Sequence, residues 1–291
     1  MTAQTKTGGF AIGFRRMGWP WHKDLNGMLA WAKQAGYAAV DVGRDGDKSG
    51  PAVVAAGLRL GSVDLPEWEG MISPDAAKRK AAVEKNSEYV KACAALGAVN
   101  HFLVMLPEKP DLSRQENFGY MVESFSKLAP VMEKCKARLV IEGWPGPGAL
   151  CCTPESYRAF FKECPSKSMG INYDPSHLIR LGIDPLRFLK EFADRVYLMH
   201  AKDTEIQTEA LYDYGFVLPP TLLPKKSWGS MHFRYTLPGY GSMRWTDGLA
   251  ILKEHGLAGA VSVEHEDGRF WEGEENQKEG LAIALRFLQG C

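Results

Sequence analysis

The sequence predicts one α/β domain folded as a closed (β/α)8 barrel. Three observations carry this reading of the 291 residues: eight short apolar runs recur, longer helical patterns separate them, and no Pro/Gly/Ser-rich linker divides the chain. Barrels of this kind commonly reach about 250 residues as a single unit, so one domain over 1–291 fits the length.

The strand candidates are 10–15 (FAIGFR), 37–42 (YAAVDV), 58–65 (LRLGSVDL), 99–106 (VNHFLVML), 137–142 (ARLVIE), 169–174 (MGINYD), 196–201 (VYLMHA) and 259–264 (GAVSVE). Each is brief and rich in Val, Ile or Leu, as strands buried on both faces are. DLNGMLAWAKQAG (24–36) spaces its apolar residues helically and stops at a Gly. The segment 73–97 opens with Ser73 and Pro74, read as a cap and the residue favoured in a first turn. Further helices are expected over 113–135, 153–163, 184–192, 245–256 and 273–289. One connection is unusually long, about 40 residues at 204–243, where most βα loops have about 2–6. Such a segment reads as an active-site cover, with a peripheral oligomer contact as the alternative.

The 35 basic and 35 acidic residues cancel, whereas a nucleic-acid binder carries a basic surplus, so no nucleic-acid partner is expected. No run of about 18 apolar residues exists to span a membrane. The first ten residues, MTAQTKTGGF, lack the apolar stretch of a signal peptide. The six cysteines form no C-x-x-C pair, and Cys151 and Cys152 are adjacent, a poor geometry for a bridge. Reduced thiols and a cytoplasmic location are the expectation.

The chemistry gathers at the C-terminal ends of the last four strands, the face that carries barrel active sites. The stretch INYDPSHLIRLG (171–182) ends an apolar run in Asp174-Pro175 and adds His177, which an ordinary turn does not need. The fifth strand ends at Glu142, the seventh continues through His200, Lys202 and Asp203, and the eighth ends in Glu264, His265 and Glu266. Three carboxylates and an imidazole (142, 174, 200, 264) converging in a partly buried space repel one another unless a cation intervenes. Oxygen-rich ligands with one imidazole suit Mn²⁺ first, with Mg²⁺, Co²⁺ or Fe²⁺ as alternatives.

The motifs IEGW, NYDPSH, LMHAKD and LPGYG…VSVEHED resemble the sugar phosphate isomerase/epimerase family, the xylose isomerase-like TIM barrels, over nearly the whole chain. The resemblance implies that Glu142, Asp174, His200 and Glu264 bind one divalent metal, and that His177 touches substrate or supports the metal shell. It implies a small carbohydrate substrate and proton transfer beside a carbonyl, with Glu142 and Glu264 as acid/base groups. An isomerase or epimerase is the first expectation. A lyase acting on an inosose or 3-keto-glycoside through the same enediolate is the second; a hydrolytic nuclease or a non-catalytic sugar-binding barrel ranks behind both.

Departures from the family narrow the choice. Endonucleases of this superfamily carry extra histidines after strands three and four, where this chain reads SVDLPEW, with Asp64, and LVMLPEK. Their Asp-x-His is also missing from FRYTLPGYG. Ketose 3-epimerases place a further Glu and Arg where this chain has Gly148 and Ile206. Further substrate candidates are Lys202, with an ion pair to Asp203 or Glu205 as the alternative, and Trp19 with Arg15, Arg16 and Trp21. His232, Arg234 and Tyr240 in the long connection join them, and His265 either orients Glu264 or meets substrate. His101, near the start of its strand, reads as structural. A homo-oligomer stays open.

Overall fold

The computed structural model describes residues 3–218, 220–222 and 231–291. Eleven strands occur among them: β1 Ile12–Arg15, β2 Ala39–Asp41, β3 Arg59–Leu60, β4 Val63–Asp64, β5 Asn100–Val104, β6 Arg138–Glu142, β7 Met169–Tyr173, β8 Val196–Ala201, β9 Asp203–Ile206, β10 Phe233–Thr236 and β11 Val261–Val263. Nine of them form one sheet in the order β3-β2-β1-β11-β8-β7-β6-β5-β4, parallel throughout. Its two ends, β3 and β4, are halves of the expected 58–65 strand, so the sheet closes on itself as a (β/α)8 barrel.

The break falls at Gly61–Ser62. Gly61 N–H still donates to Val40 O at 3.0 Å, and Val42 N–H donates to Ser62 O at 2.9 Å, so the backbone remains engaged across it. A Cβ on Gly61 would lie 2.0 Å from Asp41 Oδ1, which explains why glycine stands there.

The helices are α1 Leu25–Ala35, α2 Gly46–Ala55, α3 Ala76–Cys93, α4 Arg114–Lys134, α5 Pro154–Glu163, α6 Pro175–Arg180, α7 Pro185–Phe192, α8 Thr208–Tyr214, α9 Trp245–Glu254 and α10 Glu274–Gly290. The cap of α3 is Asp75 rather than Ser73: Asp75 Oδ1 accepts from Ala77 N–H at 2.8 Å, while Ser73 Oγ accepts from Asp75 N–H. Helices α2 and α6 were not anticipated, because α2 carries an internal Pro51 and α6 has only six residues. The described part of 204–243 is also more ordered than a loop. Strands β9 and β10 pair as an antiparallel ribbon in register Thr204↔Tyr235, and α8 follows β9. Residues 219 and 223–230 of that connection lie outside the described set.

The main apolar core lies between barrel and helices, as in Phe14, Met28, Phe125, Phe160 and Leu249. Inside the barrel a small second cluster of Ala39, Phe102, Val140, Leu198 and Ala260 closes the bottom. Each of these precedes a polar residue by two positions or shares its strand with one, and side chains two apart on a strand share a face. The bore therefore changes from apolar to ionic towards the C-terminal ends. Among the described residues no helix is long and apolar enough to cross a membrane.

Candidate metal centre

Alternation along the strands delivers the site. The pairs Asn172/Asp174, His200/Lys202 and Glu264/Glu266 are each two apart, and Glu142 follows Val140 into the same space. One ligand atom from each of Glu142, Asp174, His200 and Glu264 falls within 4.8 Å of the others, and all four residues are buried. Their strands β6, β7, β8 and β11 are sheet neighbours.

Asp174 has two tasks. It directly follows β7 and caps α6, its Oδ1 accepting from Ser176 N–H at 2.9 Å with Pro175 in the first turn. Its buried Oδ2 is left without a hydrogen-bond partner. The short helix then returns His177 to the same space, with Nε2 3.4 Å from Asp174 Oδ2 and 3.3 Å from Glu142 Oε1. This is the use of an imidazole after the turn.

Glu142 Oε2 accepts from Asn172 Nδ2 at 2.9 Å and meets His200 Nδ1 at 2.6 Å. Glu264 Oε2 lies 3.5 Å from the same nitrogen, and Glu264 Oε1 lies 3.3 Å from Arg15 Nε. Lys202, 1% exposed, donates to Glu264, lies 2.9 Å from Glu266 Oε2 and 3.2 Å from Asp174 Oδ2. The alternative pairing with Asp203 or Glu205 is not formed: Asp203 instead accepts from Met243 N–H at 3.0 Å and Trp245 Nε1–H at 2.8 Å, and Glu205 pairs with Arg234.

These contacts set the charge states. Burial works against an imidazolium at His200, but the charges of Glu264 and Glu142 outweigh it and hold His200 at about 10. Burial opposes charge on Lys202 too, and Asp174, Glu264 and Glu266 reverse the balance, keeping it protonated well above the usual lysine range. Burial and Glu264 push the Glu142 carboxyl up, yet His200 and the hydrogen bonds from His177 and His200 bring it below the usual range. Glu264 is likewise lowered, by Lys202 and His200 against burial.

The donor set suits a metal. Four buried ligand atoms converge, one carboxylate oxygen has no hydrogen bond, and His200 presents Nδ1 towards two carboxylates.

The other sequence candidates separate into two groups. His177 and Lys202 stand in the cluster. Arg15 borders it, paired with Asp64 through 2.8 and 2.9 Å bonds and placed 4.3 Å over the Phe102 ring. His232 and Arg234 sit on or next to the ribbon, where His232 Nε2 meets Arg180 O at 3.0 Å and Arg234 pairs with Glu205. Tyr240 lies under the Arg269 guanidinium at 4.5 Å. Arg16 pairs with Asp45.

Trp19 is 5% exposed and packs on Trp21, His265 and Trp271 at 6.2, 5.1 and 5.6 Å; with Trp21 and Trp271 it lines a separate cleft of about 460 Å³. That cleft holds none of the four clustered ligands. His265 points towards α10, where a Cβ on Gly280 would lie 2.4 Å from its Nε2, as one step of alternation from Glu264 requires. His101 is fully buried with both ring nitrogens unpartnered, and burial lowers it to about 3.

Four polar residues of the region were not singled out from sequence: Asn172, Tyr235, Arg180 and Asp41. Tyr235 OH lies 2.9 Å from His177 Nδ1 and accepts from Arg180 Nη1 at 2.7 Å. The two-residue period could have found Asn172, since Asp174 fixes which face of β7 looks inward.

Fold and centre together define a parallel barrel with a buried three-carboxylate, one-imidazole ligand group at its C-terminal mouth. The chain belongs to the xylose isomerase-like TIM barrel family, whose model matches residues 29–291. A curated relative, the uncharacterized protein YfiH of Bacillus subtilis (strain 168), is 29% identical over 106 residues, which are 34% of this chain and 31% of that protein. The match thus spans under a third of the relative's length. The 3-keto-D-glucoside 4-epimerase YcjR from E. coli superposes with a TM-score of 0.70 at 13% identity, over 97% of this chain and 100% of that one. Mannonate dehydratase from Streptococcus suis serotype 2 gives 0.67 at 15% identity, over 96% and 94%. At such identities the likeness is one of fold.

Proposed function

We propose that this protein is a divalent-metal-dependent enzyme that isomerises or epimerises a sugar or keto-sugar derivative by moving a proton beside a carbonyl. The observation that carries the reading is the buried ligand group Glu142, Asp174, His200 and Glu264. A metal held there, Mn²⁺ first, supplies Lewis acidity to a carbonyl and its neighbouring hydroxyl. Glu142 and Glu264 are separated in the sheet by β7 and β8 and so approach from two sides. Both are held ionised and can accept a proton: one takes it from the carbon, and the proton goes back either from that same group in its protonated form or from the other glutamate after it has taken one from solvent. Lys202 stays charged and stabilises the negative oxygen of an enediolate electrostatically rather than by proton transfer. His177 and Lys202 are the substrate-facing groups; His232 and Arg234 act on more remote parts of the substrate, whereas Trp19 faces the separate cleft. The partner is a small carbohydrate.

A lyase is the second reading, and His177 favours it. Elimination needs a proton donor for the departing oxygen, and His177, tied to Tyr235 through Nδ1 and 3.3 Å from Glu142, is such a group. A panel of keto-sugars, inososes and 3-keto-glycosides with Mn²⁺, followed by NMR in D₂O, tests both. Solvent deuterium should appear at the carbon beside the carbonyl. Retention of every substituent marks the isomerase, release of water or an aglycone marks the lyase, and turnover without cleavage of that C–H bond rejects the mechanism.

Metal binding itself has an expected signature. About one Mn²⁺ equivalent should bind per chain and be lost in Asp174→Ala or His200→Ala. Metal-free His200 keeps its proton up to about pH 10, and coordination through Nδ1 must displace it. Binding at pH 8 should therefore release about one proton, and apparent affinity should rise by up to about tenfold per pH unit below pH 10. Calorimetry in two buffers of different ionisation enthalpy measures the release; two or three tightly held metals, or no proton, would contradict this assignment.

A further inference from the structure

Asp41 ends β2 with its carboxyl in the bore, fully buried; burial pushes it up, His200, Ser262 and Arg15 oppose this, and neither oxygen has a partner at strict hydrogen-bond geometry. A buried carboxylate without a close partner is unfavourable, so its presence demands a use. Of the groups that act on it, with Ser262 and Arg15 behind, the strongest is His200, whose Nε2 lies 3.8 Å from Asp41 Oδ2 and is also without a hydrogen bond. At 3.8 Å the two groups face each other as an ion pair, not through a direct hydrogen bond.

The surroundings build this approach. Gly61 leaves the space that Asp41 Oδ1 takes, since a Cβ there would lie 2.0 Å away. Phe102 stacks on the imidazole at 5.2 Å and 28°, which fixes the ring plane. One edge of His200 then faces Glu142 and Glu264 through Nδ1, and the other faces Asp41 through Nε2.

We propose that Asp41 is a positioning residue that keeps the His200 proton on Nε2, so that the Nδ1 lone pair is presented to a metal among Glu142, Asp174 and Glu264. This rests on the metal reading above. A neutral imidazole has one lone pair, and the partner of its N–H decides which nitrogen offers it; carboxylates often hold that N–H behind a metal-binding histidine. Asp41 acts through His200 and touches neither substrate nor metal.

The test is Mn²⁺ affinity, by competition with a chelator, in wild type, Asp41→Ala and Asp41→Asn, beside ¹⁵N-histidine NMR of the metal-free proteins. Asp41→Ala should bind about 10–100-fold more weakly. Asp41→Asn keeps the shape and an acceptor oxygen and should fall between, because a neutral amide holds the N–H less firmly than a carboxylate. The His200 Nε2–H signal should be protected from exchange in wild type and Asn and lost in Ala. If Ala does not fold, Asn decides: weakened affinity with a shifted Nε2–H signal supports the assignment, and wild-type values for both overturn it. Wild type that binds no Mn²⁺ defeats the metal reading and this inference together. Wild type that binds while Asp41→Ala binds equally defeats this inference alone.

Discussion

Glu142→Gln and Glu264→Gln are each expected to lower turnover by about 10²–10⁴-fold on a true substrate, the range of a general acid or base. The amide keeps the side-chain shape and one ligand oxygen but accepts no proton at neutral pH. Glu142 is tied to Asn172 and His200, and Glu264 to Lys202 and Arg15, so both substitutions also disturb neighbours already paired with a charge. Metal content must therefore be measured beside activity. A variant that keeps its metal, loses turnover and no longer exchanges the substrate proton with D₂O has lost the proton-transfer group itself. If one of the two variants exchanges and does not convert, the other glutamate removes the proton. Full activity in both would remove these residues from the chemistry.

Lys202→Met is expected to destabilise the metal-free protein by about 3–5 kcal/mol, the loss seen when one partner of a buried ion pair is removed. Lys202 is 1% exposed and faces Asp174, Glu264 and Glu266, three carboxylates that would be left to repel one another. Methionine keeps most of the volume, which isolates charge from packing. Denaturant unfolding of the metal-free protein reads the loss. A divalent ion supplies the missing positive charge, so Mn²⁺ should raise the melting temperature of the variant by more than it raises wild type. Equal stability of variant and wild type without metal would show that Lys202 does not balance these carboxylates.

Most of the barrel was legible because strands buried on both faces leave dense apolar runs, and seven of the eight candidates contain a continuous barrel strand. The candidate 58–65 was different: its apolar pattern continues through Gly61 and hides a break there, where the Asp41 side chain of the adjoining strand fills the space a Cβ would need. Helix α2 escaped because Gly46, Gly50 and Pro51 read as loop, and tertiary packing overrode that propensity.

The ligand group was visible because its members stand at strand ends. Asn172 lay one inward step below them, and Asp41 belonged to a strand that offers no second ionisable end. Tyr235 is 58 residues from His177 and reaches it only because the ribbon β9–β10 folds over α6. Sequence spacing carries no trace of that meeting. Conversely, Trp19 and His265 share the local chemistry of site residues, but strand alternation and aromatic packing turn His265 to α10 and enclose Trp19.

The interrupted third strand also divides the barrel. Strands β6, β7, β8 and β11 make one uninterrupted arc that carries all four clustered ligands, whereas β3 and β4 join through a two-residue gap outside that arc. The arc frames the clustered residues, and the gap is a seam in the wall outside it. Asp41 hangs from the strand beside the seam and faces His200 on the frame, like a strut across the bore.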